Sequence, residues 1–218
     1  MARMMKSEDE AEQQPQEPAA VQEQAPRKRA SRRSARAAAA VAAAEGPDPW
    51  AARLERAEQL QSAGSHADAA EAFQAVAAAQ PDNLRAALGL GTALAAQGKY
   101  DAAEKELRRA LKLAPDAPEV NYQLGYTLYK KGVYAAAATQ LRKAVDLDGD
   151  HGAAYLVLGE ALNQMSESDA ALEALESAVR LTPESGKAYY AMGIAYDRKG
   201  NHDRAAEMYR LSREVAKV

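Results

Sequence analysis

The chain has no cysteine, and only one tryptophan and one phenylalanine among 218 residues. Without cysteine there is no disulfide framework, no thiolate nucleophile and no cysteine-bound metal. Histidine is nearly as scarce: His66, His151 and His202 stand far apart, each at a turn. Two of them share a column with Tyr100 and Tyr134, which favours packing or capping over catalysis. Long apolar runs are missing too. The longest, Ala37–Ala44, falls far short of the roughly 20 residues a membrane-spanning helix needs. Met1–Lys6 is basic, but Ser7-Glu8-Asp9-Glu10 follows at once, so no apolar export segment is expected. Arg32-Arg33 lies too deep, before too weak an apolar run, for a twin-arginine signal.

Neither sign of charge dominates: 28 Lys+Arg stand against 31 Asp+Glu. Gly89-Leu90-Gly91 follows no strand pattern, which excludes a dinucleotide site. The acidic stretch from Asp146 to Asp150 resembles a calcium loop only in its first residues. The sixth and twelfth places require glycine and glutamate and hold His151 and Val157. No acid/base or metal constellation emerges, so neither an enzyme nor a cofactor is expected.

What the chain does have is a period. Pro81, Pro115 and Pro183 fall on a 34-residue step, with Gly149 in the remaining place. Gly91, Gly125, Gly159 and Gly193 keep the same step, as do Ala69, Ala103, Ala137, Ala171 and Ala205. Three phase-locked ladders mean one supersecondary unit, copied and stacked. Between ladder points the apolar spacing is helical: Leu84, Leu88, Leu90 and Leu94 on one stretch, Ala103, Leu107, Ala110 and Leu111 on the next. Gly98 separates them, as Gly132 and Gly200 do in later units, suited to ending a helix in the left-handed conformation. Pro81-Asp82 and Pro115-Asp116 close two units. Each unit therefore reads as helix, tight turn, helix. Glycine inside a helix costs about 1 kcal/mol against alanine. The mid-helix glycines are thus expected to mark close approach of the paired helix, with the Ala103 class as its contact point.

In these features the chain resembles the tetratricopeptide repeat family, from Asp48 to Val218. The pattern W-x2-L-G-x2-Y, A-x3-F, P is nearest at Tyr155-Leu156-Val157-Leu158-Gly159-Glu160-Ala161-Leu162 and at Tyr189-Tyr190-Ala191-Met192-Gly193-Ile194-Ala195-Tyr196. The second-helix aromatic is kept as Phe73 and Tyr209 and becomes Leu107, Leu141 and Leu175 elsewhere. The resemblance implies an all-α fold, an α-solenoid of about five antiparallel helix pairs in a right-handed superhelix. The units are placed near 50–83, 84–117, 118–151, 152–185 and 186–218. The first is degenerate, with Arg53, Arg56 and Ala57 in the motif places, and the last puts Arg213 where Leu111, Val145 and Val179 stand. Both ends read as polar caps, with apolar surface left open near Leu211, Val215 and Val218.

The resemblance also implies a protein-interaction module whose concave groove is lined by each unit's first helix. Tyr122, Tyr126 and Tyr129 lie on one stripe of such a helix, outside its packing columns Leu124, Gly125 and Leu128. The same columns hold Leu88, Thr92 and Ala95 before, then Leu156, Glu160 and Asn163, then Tyr190, Ile194 and Asp197. Lys130, Glu160 and Asn163 are the expected polar contacts to a partner protein, a peptide or helix across the tyrosines. The competing reading is that the tyrosines pack against neighbouring helices. Relatives that grip a terminal carboxylate use Lys and Asn in this groove. The places here hold Leu88, Thr92, Gln123, Lys187 and Ala191, of which only Lys187 matches.

Residues 1–47 are different material, rich in Gln, Glu, Pro and Ala and free of aromatics. They read as a disordered N-terminal arm. Arg27, Lys28, Arg29, Arg32, Arg33 and Arg36 form a basic cluster without an acid. That cluster is either a solvated linker or a tether to nucleic acid or an anionic surface. Phosphorylation of Ser31 or Ser34 would weaken it. Ala37–Ala44 is expected to be helical only when bound. The 47 residues carry 8 basic and 7 acidic groups, and the remainder 20 and 24, so the repeat region is mildly acidic. Heavy Ala and Arg usage points to a GC-rich bacterial genome and a cytoplasmic setting. In a eukaryote the basic cluster would read as nuclear import.

Overall fold

The computed structural model describes residues 49–216. They form ten α-helices: α1 Pro49–Ser62, α2 His66–Ala79, α3 Leu84–Ala96, α4 Tyr100–Leu113, α5 Pro118–Lys130, α6 Tyr134–Leu147, α7 Gly152–Gln164, α8 Ser168–Leu181, α9 Gly186–Arg198 and α10 His202–Val215. No strand occurs among the described residues. The expected disordered arm, its basic cluster and the expected helix cap Asp48 lie outside the described residues.

Each first helix stops by the same device. Gly64, Gly98, Gly132 and Gly200 have φ of 77°, 75°, 81° and 74°, and Ser166 takes φ 62° at the matching place in the fourth unit. The next residue then donates its N–H back over the helix end: Lys99 to Leu94 O at 3.0 Å, Val133 to Leu128 O at 2.9 Å, Asn201 to Tyr196 O at 2.9 Å. Starts are less uniform. Asn83 and Ser185 cap α3 and α9 through their side chains, His151 caps α7 through its ring, and α5 opens on Pro118.

The mid-helix glycines mark close helix contacts, with a different partner from the one expected. A Cβ on Gly91, Gly125 or Gly159 would fall 2.6, 2.6 or 2.4 Å from Cγ of Leu107, Leu141 or Leu175, and one on Gly193 2.4 Å from the Tyr209 ring. The Ala103 class contributes only its backbone, Ala137 O at 3.3 Å and Ala171 O at 3.2 Å. Helical side chains lean toward their own N-terminus, so the residue one turn later covers the spot over the alanine. Leu107, Leu141 and Leu175 are fully buried, as are Ala69, Ala103, Ala137 and Ala171.

Each helix packs on the next. In addition the backbones of α1, α3, α5, α7 and α9 approach one another in sequence, while no second helix's backbone comes as close to another's. The first helices therefore make a continuous inner row, and the second helices stand outside it. Turns clamp neighbouring units together. Lys131 reaches Asp101 and Glu104 of the preceding unit at 2.6 Å each, Lys199 pairs with Asp169 two repeats on, and Gln97 donates to His66 O at 2.8 Å. At the ends, Arg53, Arg56 and Arg213 are exposed, and Leu211 and Val215 are half-buried.

Candidate partner-binding groove

The inner row puts side chains of five helices along one face. At its centre Tyr122, Tyr126 and Tyr129 are half-buried, whereas Leu124 and Leu128 of the same helix are buried. The Tyr122 ring stands 6.3 Å from Tyr126 and 4.5 Å from the His151 ring. Tyr129 lies 5.9 Å from Tyr134 at the start of the paired helix. Lys130 places its ammonium 5.3 Å from the Tyr126 ring centre and 5.8 Å from that of Tyr129, within cation–π range.

Glu160 of α7 completes this centre. Burial pushes its carboxyl above the usual carboxylate range, against the pull of the Tyr129 hydrogen bond and of Lys130 and Lys187. Burial first, and the neighbouring Glu160 carboxylate second, push the Tyr129 hydroxyl up to about 12. Burial also raises Tyr122, with Glu119 adding to it. The Tyr122 and Tyr129 hydroxyls thus stay protonated at neutral pH, that of Tyr129 donating to Glu160.

Two clefts flank the centre. One, of about 460 Å³, is walled by Glu58, Arg85, Leu88, Thr92, Glu119 and Gln123. Leu88 and Thr92 were expected in the groove and are both half-buried there, the Thr92 hydroxyl folding back on Leu88 O at 2.9 Å. The other cleft, of about 440 Å³, is walled by Glu160, Lys187, Tyr190 and Ser212. Leu156 and Ile194 are half-buried, while Tyr190 is 56% exposed, with its ring 5.4 Å from Tyr209.

Two expected contacts are placed otherwise. Asn163 is only 3% exposed, and its amide donates to Ala191 O at 2.8 Å. It ties α7 to α9 inside the stack, so it is no polar contact for a partner. Asp197 is exposed but engaged: Tyr209 donates to it at 2.8 Å and His202 lies 3.1 Å away. Those two bonds, His202 first, hold its carboxyl below the usual range. Other residues went unforeseen. Arg85 grips Glu58 with two bonds of 3.0 and 2.7 Å across a unit boundary. His151 lies against Tyr122 because neighbouring first helices start side by side, which the register alone implies.

No group of histidine and carboxylate side chains able to hold a metal occurs among the described residues, and no helix there is long and apolar enough to cross a membrane.

No curated protein matches the chain in sequence. Residues 91–132 match the family model of the TPR repeat, and residues 122–167 and 164–216 that of the tetratricopeptide repeat. Among solved structures, a crystal structure of MamA is 28% identical, covers 74% of this chain and 94% of its own, and superposes with a TM-score of 0.67. MamA from Desulfovibrio magneticus RS-1, residues 41 to the end, is 26% identical over 78% of this chain and 97% of its own, with a TM-score of 0.71. YrrB, described as a TPR protein with an unusual peptide-binding site, shares the fold at 23% identity over 75% of this chain and 84% of its own, TM-score 0.65. The repeat matches run from 91 to 216, more than half of the chain, and the helix pairs stack as such repeats do. The chain belongs to the tetratricopeptide repeat family, whose members are protein–protein interaction modules.

Proposed function

We propose that the protein is a non-enzymatic adaptor or scaffold, holding a segment of another protein along the inner row of first helices. The observation that carries this reading is the aromatic centre. Tyr122, Tyr126, Tyr129 and Tyr190 keep accessible surface in columns that hold Leu88, Thr92, Ala95 or Ile194 in other units. Tyrosine offers large contact area, a polar tip and little rotamer entropy, which suits a binding surface. The clefts on either side give a partner's flanking residues places to seat. A stack of the same fold carries a peptide-binding site in YrrB.

The experiment is a pull-down with residues 48–218, followed by affinity measurements with Tyr126→Ala. A captured partner whose affinity drops with Tyr126→Ala supports the groove. A partner that binds the variant as well as the parent removes it.

The six cations of the arm support a second reading, a tether to nucleic acid or an anionic surface with the repeats recruiting a protein. Under it, full-length affinity for a DNA duplex falls steeply with salt while residues 48–218 bind negligibly. Equal binding by both proteins rules it out.

A further inference from the structure

Lys130 is the residue of the groove centre that the stack does not account for. Its column holds Ser62, Ala96, Gln164 and Arg198 in the other units, so the repeat requires no lysine there. Lys131 beside it is tied down by Asp101 and Glu104, and Lys199, in the column of Lys131 two units on, by Asp169. The exposed Lys130 ammonium has no such partner among the described residues. It rests instead against the faces of Tyr126 and Tyr129.

Those ring faces lie among carboxylates. Tyr129 donates to Glu160, whose charge acts on Tyr122 as well. Glu119, one turn before Tyr122 on α5, acts on Tyr122 too, and its side chain is 53% exposed. Arg85 does not offset them, since Glu58 holds it with two bonds. An aromatic face is the negative end of the ring quadrupole, and a carboxylate beside it deepens the attraction for a cation. Burial penalises the charge of Glu160, and Lys130 and Lys187 offset part of that penalty. The centre therefore stabilises a cation. In the free protein it supplies one from its own rim, on a long side chain that water can release.

We propose that the groove centre seats an arginine of the partner segment and that Lys130 is the internal stand-in for it. This rests on the groove reading above. The guanidinium lies flat on Tyr126 and forks onto Glu160, a combination that the compact ammonium of a lysine cannot make. Lys130 moves out into water as the guanidinium enters. The carboxylates of Glu119 and Glu160 then stand against the ammonium of Lys187 and the new guanidinium, so the charges balance.

Peptide titrations on the full-length protein test this, read by NMR from the ring signals of Tyr126 and Tyr129. The probes are Ala-Leu-Xaa-Leu-Ala peptides blocked at both ends, with arginine, glutamine or glutamate at the centre. The arginine peptide should bind about tenfold or more tighter than the glutamate peptide. Lys130→Met should tighten the arginine peptide by about threefold or more, because the stand-in is gone while the exposed position leaves folding intact. Glu160→Gln should erase most of the gap between the arginine and glutamine peptides, and an unchanged gap overturns the seat. Weaker binding of the arginine peptide to Lys130→Met overturns the proposal, because it makes Lys130 a contact rather than a stand-in. Equal or tighter binding of the glutamate peptide overturns it while leaving the groove itself standing. No shift at either ring with any peptide overturns it too, and capture of a partner sensitive to Tyr126→Ala would then still uphold the groove.

Discussion

α3 and α5 occupy equivalent places in successive units, and they agree at three packing positions while their inner columns differ throughout. Their packing columns match: Leu90 and Leu124, Gly91 and Gly125, Leu94 and Leu128. Their inner columns diverge, with Leu88, Thr92 and Ala95 in one and Tyr122, Tyr126 and Tyr129 in the other. The lesson is a division of labour within a single helix. One stripe is fixed by the stack and repeats. The stripe beside it is free to vary and, under the proposed function, would carry what the groove recognises.

The largest test of that division strikes the packing stripe. Gly125→Leu would drive a side chain into Leu141 and toward Ala137 O, and overpacking of this kind destabilises by about 1–3 kcal/mol. Denaturant unfolding of the variant should show the loss, and partner affinity measured on the folded fraction should change little. A neutral result would mean that α5 and α6 do not meet as closely as described.

Next in size is the inner stripe. Tyr126→Ala should weaken partner binding by about 2 kcal/mol, as buried tyrosine hot spots do. Its effect on unfolding should stay near 0.5 kcal/mol, the range of surface substitutions. A core-sized loss of stability, with normal binding by a restabilised version, would move Tyr126 into the packing stripe.

A smaller effect is expected at the turn of the fourth unit. Ser166 sits at φ 62° where the other four units have glycine. A left-handed conformation costs a non-glycine residue about 1–2 kcal/mol, so Ser166→Gly should raise stability by a good part of that. A destabilised Ser166→Gly would show that serine makes a compensating contact there.

The smallest effect is pH-dependent. Burial raises the folded-state pKa of Glu160 above its unfolded value. A native state that holds the proton more tightly loses stability as pH rises through that interval, and the penalty is complete above the raised pKa. Glu160→Gln should therefore be more stable than the parent at neutral pH. The two should converge below the ordinary carboxylate range. Unfolding curves at both pH values check it, and a constant difference would remove burial as the cause.

The packing stripe was legible in the sequence because each of its residues recurs at the repeat step under the same constraint. Gly91, Gly125, Gly159 and Gly193 announce themselves by recurring. Their partner was misread as the Ala103 class because the direction in which helical side chains lean is invisible in spacing. Asn163 shows a second limit. Its column also holds Ala95, Tyr129 and Asp197, so nothing recurrent marks it as buried, and its bond to Ala191 O exists only in the stacked form. The Arg85–Glu58 pair joins residues 27 apart in different units, a contact fixed by superhelical geometry rather than by local pattern.

The unbroken backbone approach along the first helices, absent between second helices, has a mechanical meaning. The stack resembles a spine whose vertebrae meet on one side only. It is stiff against stretching along the inner row and more compliant to flexing, because the outer side is bridged only by side chains, as where Arg142 of α6 reaches Glu167 at the head of α8 at 3.6 Å. The segment proposed to bind along the inner row would lie on the hinge line itself. It would act as a splint, and its grip would depend on the curvature the stack holds at that moment.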